Sequence, residues 1–280
     1  MSKHGLFRLT QKVYNTPHLI TPDAFNIVLD YLDTRNAVGR LDHWQAEAAH
    51  TEIEKPYANG LGVLRVDGSL TYKPVMTMCG EAGTSYQSLV AEVEEMAEAG
   101  VKTIVMEVSS GGGEASHVFQ ACADIRGIID ANGIKLVAYI DTIGASAAYA
   151  LACIADEVVA NPSAGVGSIG CVVALMDASK AYEQAGLKRI FVTSGENKVP
   201  FAADGSFKQE FLDEIQESVN KLNTEFAAHV SKFTGLSVEA VMGFQAKVFD
   251  ADEALERGLI NRVMTNREFA AYVAKTHKET

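Results

Sequence analysis

No stretch of about 18 apolar residues occurs anywhere in the chain, so the sequence offers no transmembrane helix. Its opening, MSKHGLFRLTQKVYNTPHLI, also lacks a long apolar run ending in a small-residue cleavage site, and a soluble, non-exported protein is expected. Basic surplus is missing too. Lys and Arg total 24 against 36 Asp and Glu, and a net charge of −12 argues against a nucleic-acid binder, which needs a basic footprint. Cys79, Cys122, Cys153 and Cys171 show no CxxC spacing and sit in apolar contexts, which points to buried free thiols and a reducing compartment. Four of the seven histidines (His4, His18, His43, His50) cluster near the start without HxxxH spacing or paired carboxylates, so neither a metal nor any other cofactor is expected. Finally, no histidine lies between Ser146 and His229. Chemistry at that serine must find another base.

What the chain does have is enough apolar material for a large core: 280 residues, 48% of them hydrophobic. Thr21-Pro22-Asp23 starts a helix whose apolar residues from Ala24 to Leu32 fall at helical spacing, and residues 1–58 are read as an N-terminal helical arm in which Trp44 packs. A core domain follows over 59–265, with a C-terminal tail at 266–280. Within the core, strand GVLRVDGSL precedes helix SLVAEVEEMAEAG, whose Glu92, Glu94, Glu95 and Glu98 read as a solvated face. Strand VKTIVMEV, helix HVFQACADIRGIIDANG, strand KLVAYID, a small-residue helix, strand EVVAN and strand KRIFVTSG come next. Helices at about 208–233 and 237–243 and a capped helix ending at Gly258 complete it. Repeated βα units with apolar strands imply an α/β fold with a mostly parallel, helix-covered sheet.

Two residues stand out chemically. Ser146 opens the small-residue helix TIGASAAYALACIA directly after an apolar strand, and Lys198 sits in the polar segment SGENKVP. A lysine amine held neutral by burial can take a serine's proton, so the two would form a complete nucleophile and base if the fold joins them. Upstream, a strand runs into Gly111, Gly112 and Gly113 and then into a helix. Glycine permits backbone conformations that let such a turn aim N–H groups at an oxyanion.

The succession SSGGGE, GASAAY, ADEVVANPSAGVGSIG, SGENK and FDADEALERGLINRV, over roughly residues 60 to 265, resembles the signal-peptide peptidase A family of serine proteases, which includes the capsid-assembly (prohead) proteases of tailed phages. The resemblance implies a Clp protease/crotonase-like spiral ββα fold. It implies Ser146 as nucleophile, Lys198 as general base, Gly113 and the amide of Ala147 as oxyanion donors, and Ser168 as the residue that orients the lysine. The family's glycine turn usually reads NSPGG; here Ser109 and Gly111 replace its Asn and Pro, and Ala147-Ala148 replace a common Gly-Gly. The opening NTPHLITPDAFNIVLDYLDTR looks like the leader of the phage branch. Its implied substrates are peptides of capsid scaffold, portal or the protease itself, in the bacterial host cytoplasm or inside the prohead, with no nucleic acid and no membrane as partner. Single-repeat relatives further imply a homo-oligomer with active sites near subunit interfaces.

Four other readings remain. A Clp-type triad lacks its downstream histidine, with His117 lying upstream on an expected helix surface. A crotonase leaves Ser146 and Lys198 idle. A catalytically silent assembly factor, or a host-cell protease of the same family, would keep the fold but change the role.

Overall fold

The computed structural model describes residues 13–29 except 15 and 27, and residues 57–279 except 78, 79, 82 and 189. His4, Trp44, His43 and His50 lie outside the described residues. Strand β1 (His18–Ile20) comes first, and residues 22–26 and 28–29 are helical, with the Thr21 hydroxyl accepting from the Ala24 amide. Then follow β2 (Tyr57–Ala58), β3 (Leu61–Asp67), β4 (Leu70–Thr71), β5 (Met76–Thr77), β6 (Gly80–Glu81), β7 (Thr84–Ser85) and helix α1 (Tyr86–Glu98). Next are β8 (Thr103–Ser110), β9 (Gly112–Glu114), α2 (Val118–Asn132), β10 (Lys135–Ala145), α3 (Ala147–Ala152), β11 (Glu157–Ala160), β12 (Gly165–Gly167) and α4 (Ser179–Gln184). A short 3-10 turn at Glu196–Lys198 precedes α5 (Gln209–Thr234), α6 (Val238–Gly243), β13 (Val248–Phe249), α7 (Ala251–Glu256), β14 (Arg262–Val263) and α8 (Asn266–Glu279).

This is an α/β fold, built on an eight-stranded sheet. Its centre, β3, β8 and β10, is parallel, and antiparallel pairing occurs at the β2–β3 and β12–β13 edges. The central strands are apolar almost throughout because both faces are covered. Tyr86, Leu89, Val93 and Met96 of α1, spaced three or four residues apart, form one buried stripe, while Glu94, Glu95 and Glu98 point to solvent. Together with α2 and the wholly buried α3, this stripe covers one face of the sheet. Ser85 caps α1, Ser237 caps α6 and Asp250 caps α7, each accepting an amide N–H of the first turn.

The opposite face is covered by α8. Phe269 stacks on Tyr139 at 4.1 Å, and Phe269 and Val273 bury against Val105, Val137 and Val159. Residues 266–279, placed beyond the domain on sequence, are thus one wall of the core: the helix was hidden because its apolar positions are few among charged neighbours. The arm differs as well, since His18–Ile20 is a strand that joins β9. The expected strand KRIFVTSG is not formed. Residues 190–195 are irregular, and Ile190 and Val192 are 79% and 96% exposed. A β-rich sequence needs a neighbour to accept its backbone bonds, and no described residue of this chain supplies one.

Glu157 ties β11 to β14 through Arg262 and to the outer helix α8 through Tyr272. Burial resists its ionisation, but the bonds from Tyr272 and Arg262 outweigh that and hold its carboxyl below the usual glutamate range. A depressed folded-state value contributes stability that is present above the unfolded-state value and lost as pH falls through the folded one. Glu157→Gln should therefore lower Tm at neutral pH, and the gap to the parent should close in acid below the ordinary glutamate range. Thermal melts across that range would expose an unchanged gap, which contradicts the assignment.

Candidate active site

The central strand β10 carries the site at its carboxyl end, where α/β sheets commonly bind ligands. It can do so because it has two successive neighbours. Val137–Ile140 pair with β11, whereas Ile143–Ala145 pair with Gly165–Gly167 of β12. The next residue is Ser146. Its backbone, at φ 57° and ψ −122°, occupies a region that a side chain disfavours, as at the strained strand-to-helix elbow of the α/β-hydrolase fold. Two bonds hold the turn: the Ser146 amide donates to the Gly167 carbonyl at 2.8 Å, and the Ala150 amide donates to the Ser146 carbonyl at 3.0 Å. The side chain points inward. Ser146 Oγ is buried and, among the described residues, has no hydrogen-bond partner.

A buried hydroxyl left unpaired costs about 1–3 kcal/mol, so such an atom invites a functional explanation. The neighbouring strand β8 ends at the same level and enters the glycine turn. Ser110 closes that turn by donating its hydroxyl to the Gly68 carbonyl at 2.6 Å and accepting the Gly112 amide at 3.1 Å. Gly112 has φ 101°, and a methyl placed on it would lie 3.0 Å from Ser146 Cβ. A methyl on Gly113 would stand 2.0 Å from the Leu70 carbonyl oxygen. Gly112 is thus required by conformation as well as by space, and Gly113 by space alone. The structure brings Ser146, Ala147, Gly112 and Gly113 together, with Ser168 next in the chain to the Gly167 carbonyl that holds Ser146. Ser168 is itself buried at φ 51°, its amide donating to the Lys247 carbonyl at 2.9 Å.

Lys198 is not in this group. It is exposed on the short 3-10 turn, and its ammonium does not reach Ser146 Oγ. Among the described residues no histidine takes its place. His229 Nε2 bonds to the Ala150 carbonyl at 2.9 Å, and burial lowers its pKa against the opposing pull of that carbonyl. His117 stacks on Tyr72 at 3.8 Å and pairs with the Ser116 hydroxyl. Cys122 and Cys153 are buried free thiols, both pushed above the usual thiol range by burial, and Cys171 is pushed up to about 11 for the same reason. Among the described residues no cluster of three or more His, Cys, Asp or Glu could hold a metal ion, and no helix is long and apolar enough to cross a membrane.

One feature of the site was missed on sequence. Strand β1 lies against the glycine turn, pairing Leu19 with Gly113 and Ile20 with Gly112, and the Leu19 carbonyl carbon lies 3.0 Å from the same point above Gly112 that is 3.0 Å from Ser146 Cβ. The signal was faint: an apolar pair between Pro17 and Pro22.

Gly113→Ala should cost about 3 kcal/mol, the upper range for forcing a methyl into filled space. Gly127→Ala, in the interior of α2 with no atom within 4 Å of the added methyl, should instead stabilise by about 0.5–1 kcal/mol. Urea unfolding of both variants checks the contrast, and equal effects would refute the tight packing at the turn.

The chain is 28% identical over 244 residues to the head-tail preconnector protein GP5 of Enterobacteria phage P21, covering 86% of this chain and 48% of that protein. It is 28% identical over 212 residues to the capsid assembly protease C of Escherichia phage lambda, covering 75% of this chain and 48% of that protein. The probable protease SohB of Haemophilus influenzae is 28% identical over 162 residues, covering 55% of this chain and 45% of that protein. The chain thus spans about half the length of these relatives. The model of peptidase family S49 matches residues 129–280, more than half of the chain, and the protein belongs to that family.

Proposed function

We propose that this chain is a serine endopeptidase that works by acyl transfer, with Ser146 as nucleophile and Lys198 as general base. The observation that carries the reading is Ser146 itself: a buried hydroxyl without a partner, on a strained elbow, beside a glycine turn. Ser146 Oγ adds to a peptide carbonyl carbon while Lys198 takes the hydroxyl proton. The amides of Gly113 and Ala147 hold the resulting oxyanion. Lys198 then delivers the proton to the departing amine as the C–N bond breaks, and water releases the acyl group by the reverse sequence. Ser168 orients the lysine. The similarity to a capsid assembly protease and a head-tail preconnector supports capsid proteins, such as a scaffold or portal, as the substrates, with the host cytoplasm or prohead as the place of action.

The base must come to the serine, and self-association is the means we favour. The segment leading to Lys198 exposes Met176, Leu187, Ile190, Phe191 and Val192, which is a large apolar area for a surface to leave uncovered. Residues 190–193 have the composition of a strand without a partner. A second copy of the chain seated there would cover the apolar residues and supply burial around the lysine, which favours the neutral amine that catalysis needs. The active sites are then complete only near subunit interfaces of a homo-oligomer.

Ser146→Ala should abolish peptide-bond cleavage, a loss on the order of 1000-fold or more, with an unchanged melting curve. Lys198→Arg should be equally inactive, because arginine stays protonated and cannot accept the serine proton, and a chelator should change nothing. An active arginine variant would overturn the role of the base. Mixed oligomers of Ser146→Ala and Lys198→Ala chains test the shared site. Some sites in the mixture inherit both groups, so activity should partly return, whereas mixed oligomers that form and stay inactive refute the sharing.

A further inference from the structure

The chain's own strand β1 lies against the glycine turn beside Ser146, whose buried hydroxyl has no partner among the described residues, and the way β1 is held is that of a bound peptide. Its main chain is bonded on both sides. The His18 amide donates to the Val172 carbonyl at 2.9 Å, and the Val172 amide donates back to the His18 carbonyl at 3.0 Å. On the other edge, the Thr21 amide donates to the Gly111 carbonyl at 2.8 Å, and the Ala115 amide to the Pro17 carbonyl at 3.4 Å. Hydrogen-bonded pairs alternate along an antiparallel ladder. With Thr21 and Pro17 both facing β9, Leu19 and Gly113 are the hydrogen-bonded pair between them. The Gly113 amide, the expected oxyanion donor, is therefore directed at the Leu19 carbonyl. That carbonyl lies against Gly112, where an added methyl would stand 2.1 Å from the Leu19 oxygen and 3.0 Å from Ser146 Cβ, and the Leu19 side chain is fully buried. Pro17 and Pro22 bracket the strand. Pro17 has no N–H to satisfy, and Pro22 turns the chain into a helix directly after the last ladder bond.

We propose that His18–Ile20 is an internal pseudosubstrate. It fills the peptide groove between β9 and Val172 as an added strand, with the Leu19 carbonyl standing where the carbonyl under attack would stand. The segment has two consequences for the serine-protease reading, on which this inference rests. Substrate must displace it, so the free groove is only a fraction of the population and apparent activity is reduced by that fraction. The pocket filled by Leu19 also sets the preference: an extended peptide with leucine, or a similar apolar residue, on the acyl side of the cleaved bond. In a single chain the strand persists uncut because Lys198 is not at Ser146.

The test uses the full chain and two variants that weaken the strand. Leu19→Asp puts a charge into the apolar pocket, and His18→Pro removes the amide that bonds Val172. Both should digest casein about tenfold faster than the parent, as expected if the strand fills the groove most of the time. A synthetic peptide with the sequence of residues 15–24, NTPHLITPDA, should be cut after its leucine. Variants that are folded and no faster than the parent, or a peptide cut elsewhere, overturn the proposal. A second measurement needs no damage to the strand. In the Ser146→Ala chain, amide hydrogen exchange at residues 18–21 should accelerate when the peptide is added in excess, and should not respond to the same peptide with aspartate in place of leucine. Exchange that ignores both peptides overturns the pseudosubstrate. If no form of the chain digests casein while the exchange response is present, the catalytic reading fails and the groove with its occupant stands.

Discussion

The structure depends on one strand having two neighbours in succession. The eleven residues of β10 exchange β11 for β12 midway, and the register with β8 shifts over the same stretch, between Ile140 and Gly144. Opening the sheet there leaves room at its carboxyl end for a turn that a continuous ladder would not admit. Ser146 takes that turn, and its disfavoured backbone angles persist because the Gly167 carbonyl on β12 holds its amide. Strain of this kind costs about 1–3 kcal/mol and survives only where surrounding packing over-determines it. Here the surrounding packing is α3, all of whose residues are fully buried alanine, tyrosine or leucine. Tyr149 anchors that helix from below by donating its hydroxyl to the Leu259 carbonyl at 2.7 Å.

Much of this was legible in the chain because it is encoded locally. The apolar strand before Ser146 and the alanines after it predict a closely packed helix, and α3 is buried along its whole length. Helix α1 was readable from the spacing of Leu89, Val93 and Met96, and α7 from Asp250 and Gly258 at its ends. The glycine turn was readable as a turn, although sequence gave no hint that Gly113 is forced by the Leu70 carbonyl rather than by its own torsion angles.

What sequence could not provide is where segments meet. KRIFVTSG has the same strand propensity whether its partner lies in this chain, in another copy or nowhere, so the expected strand is absent although its composition was read correctly. Strand β1 is too short for any periodicity to register, and its place beside Gly113 is fixed by contacts with residues about 90 positions away, beyond what local patterning can report. The separation of Lys198 from Ser146 belongs to the same class. A matching pair of residue types states which chemistry is available, while the distance between them is a property of the folded or assembled state.

The unpaired segment and the occupied groove are joined through the residues that follow Gly170. Val172 holds one edge of β1, and the same stretch of chain runs on through Met176 and the exposed residues 187–192 to Lys198. Under the two proposals, one binding event acts on both ends of this stretch. A second copy that pairs with residues 190–193 orders the chain from Val172 onward, and any shift of Val172 weakens the bonds that keep His18 in place. Arrival of the base and departure of the occupant would then be coupled, in the sense that each makes the other easier. The coupling needs no long pathway through the core, only a continuous backbone whose two ends contact the two halves of one site. On the same two proposals, a single chain holds its nucleophile, oxyanion turn and pseudosubstrate side by side without cutting, and assembly rather than folding would complete the chemistry.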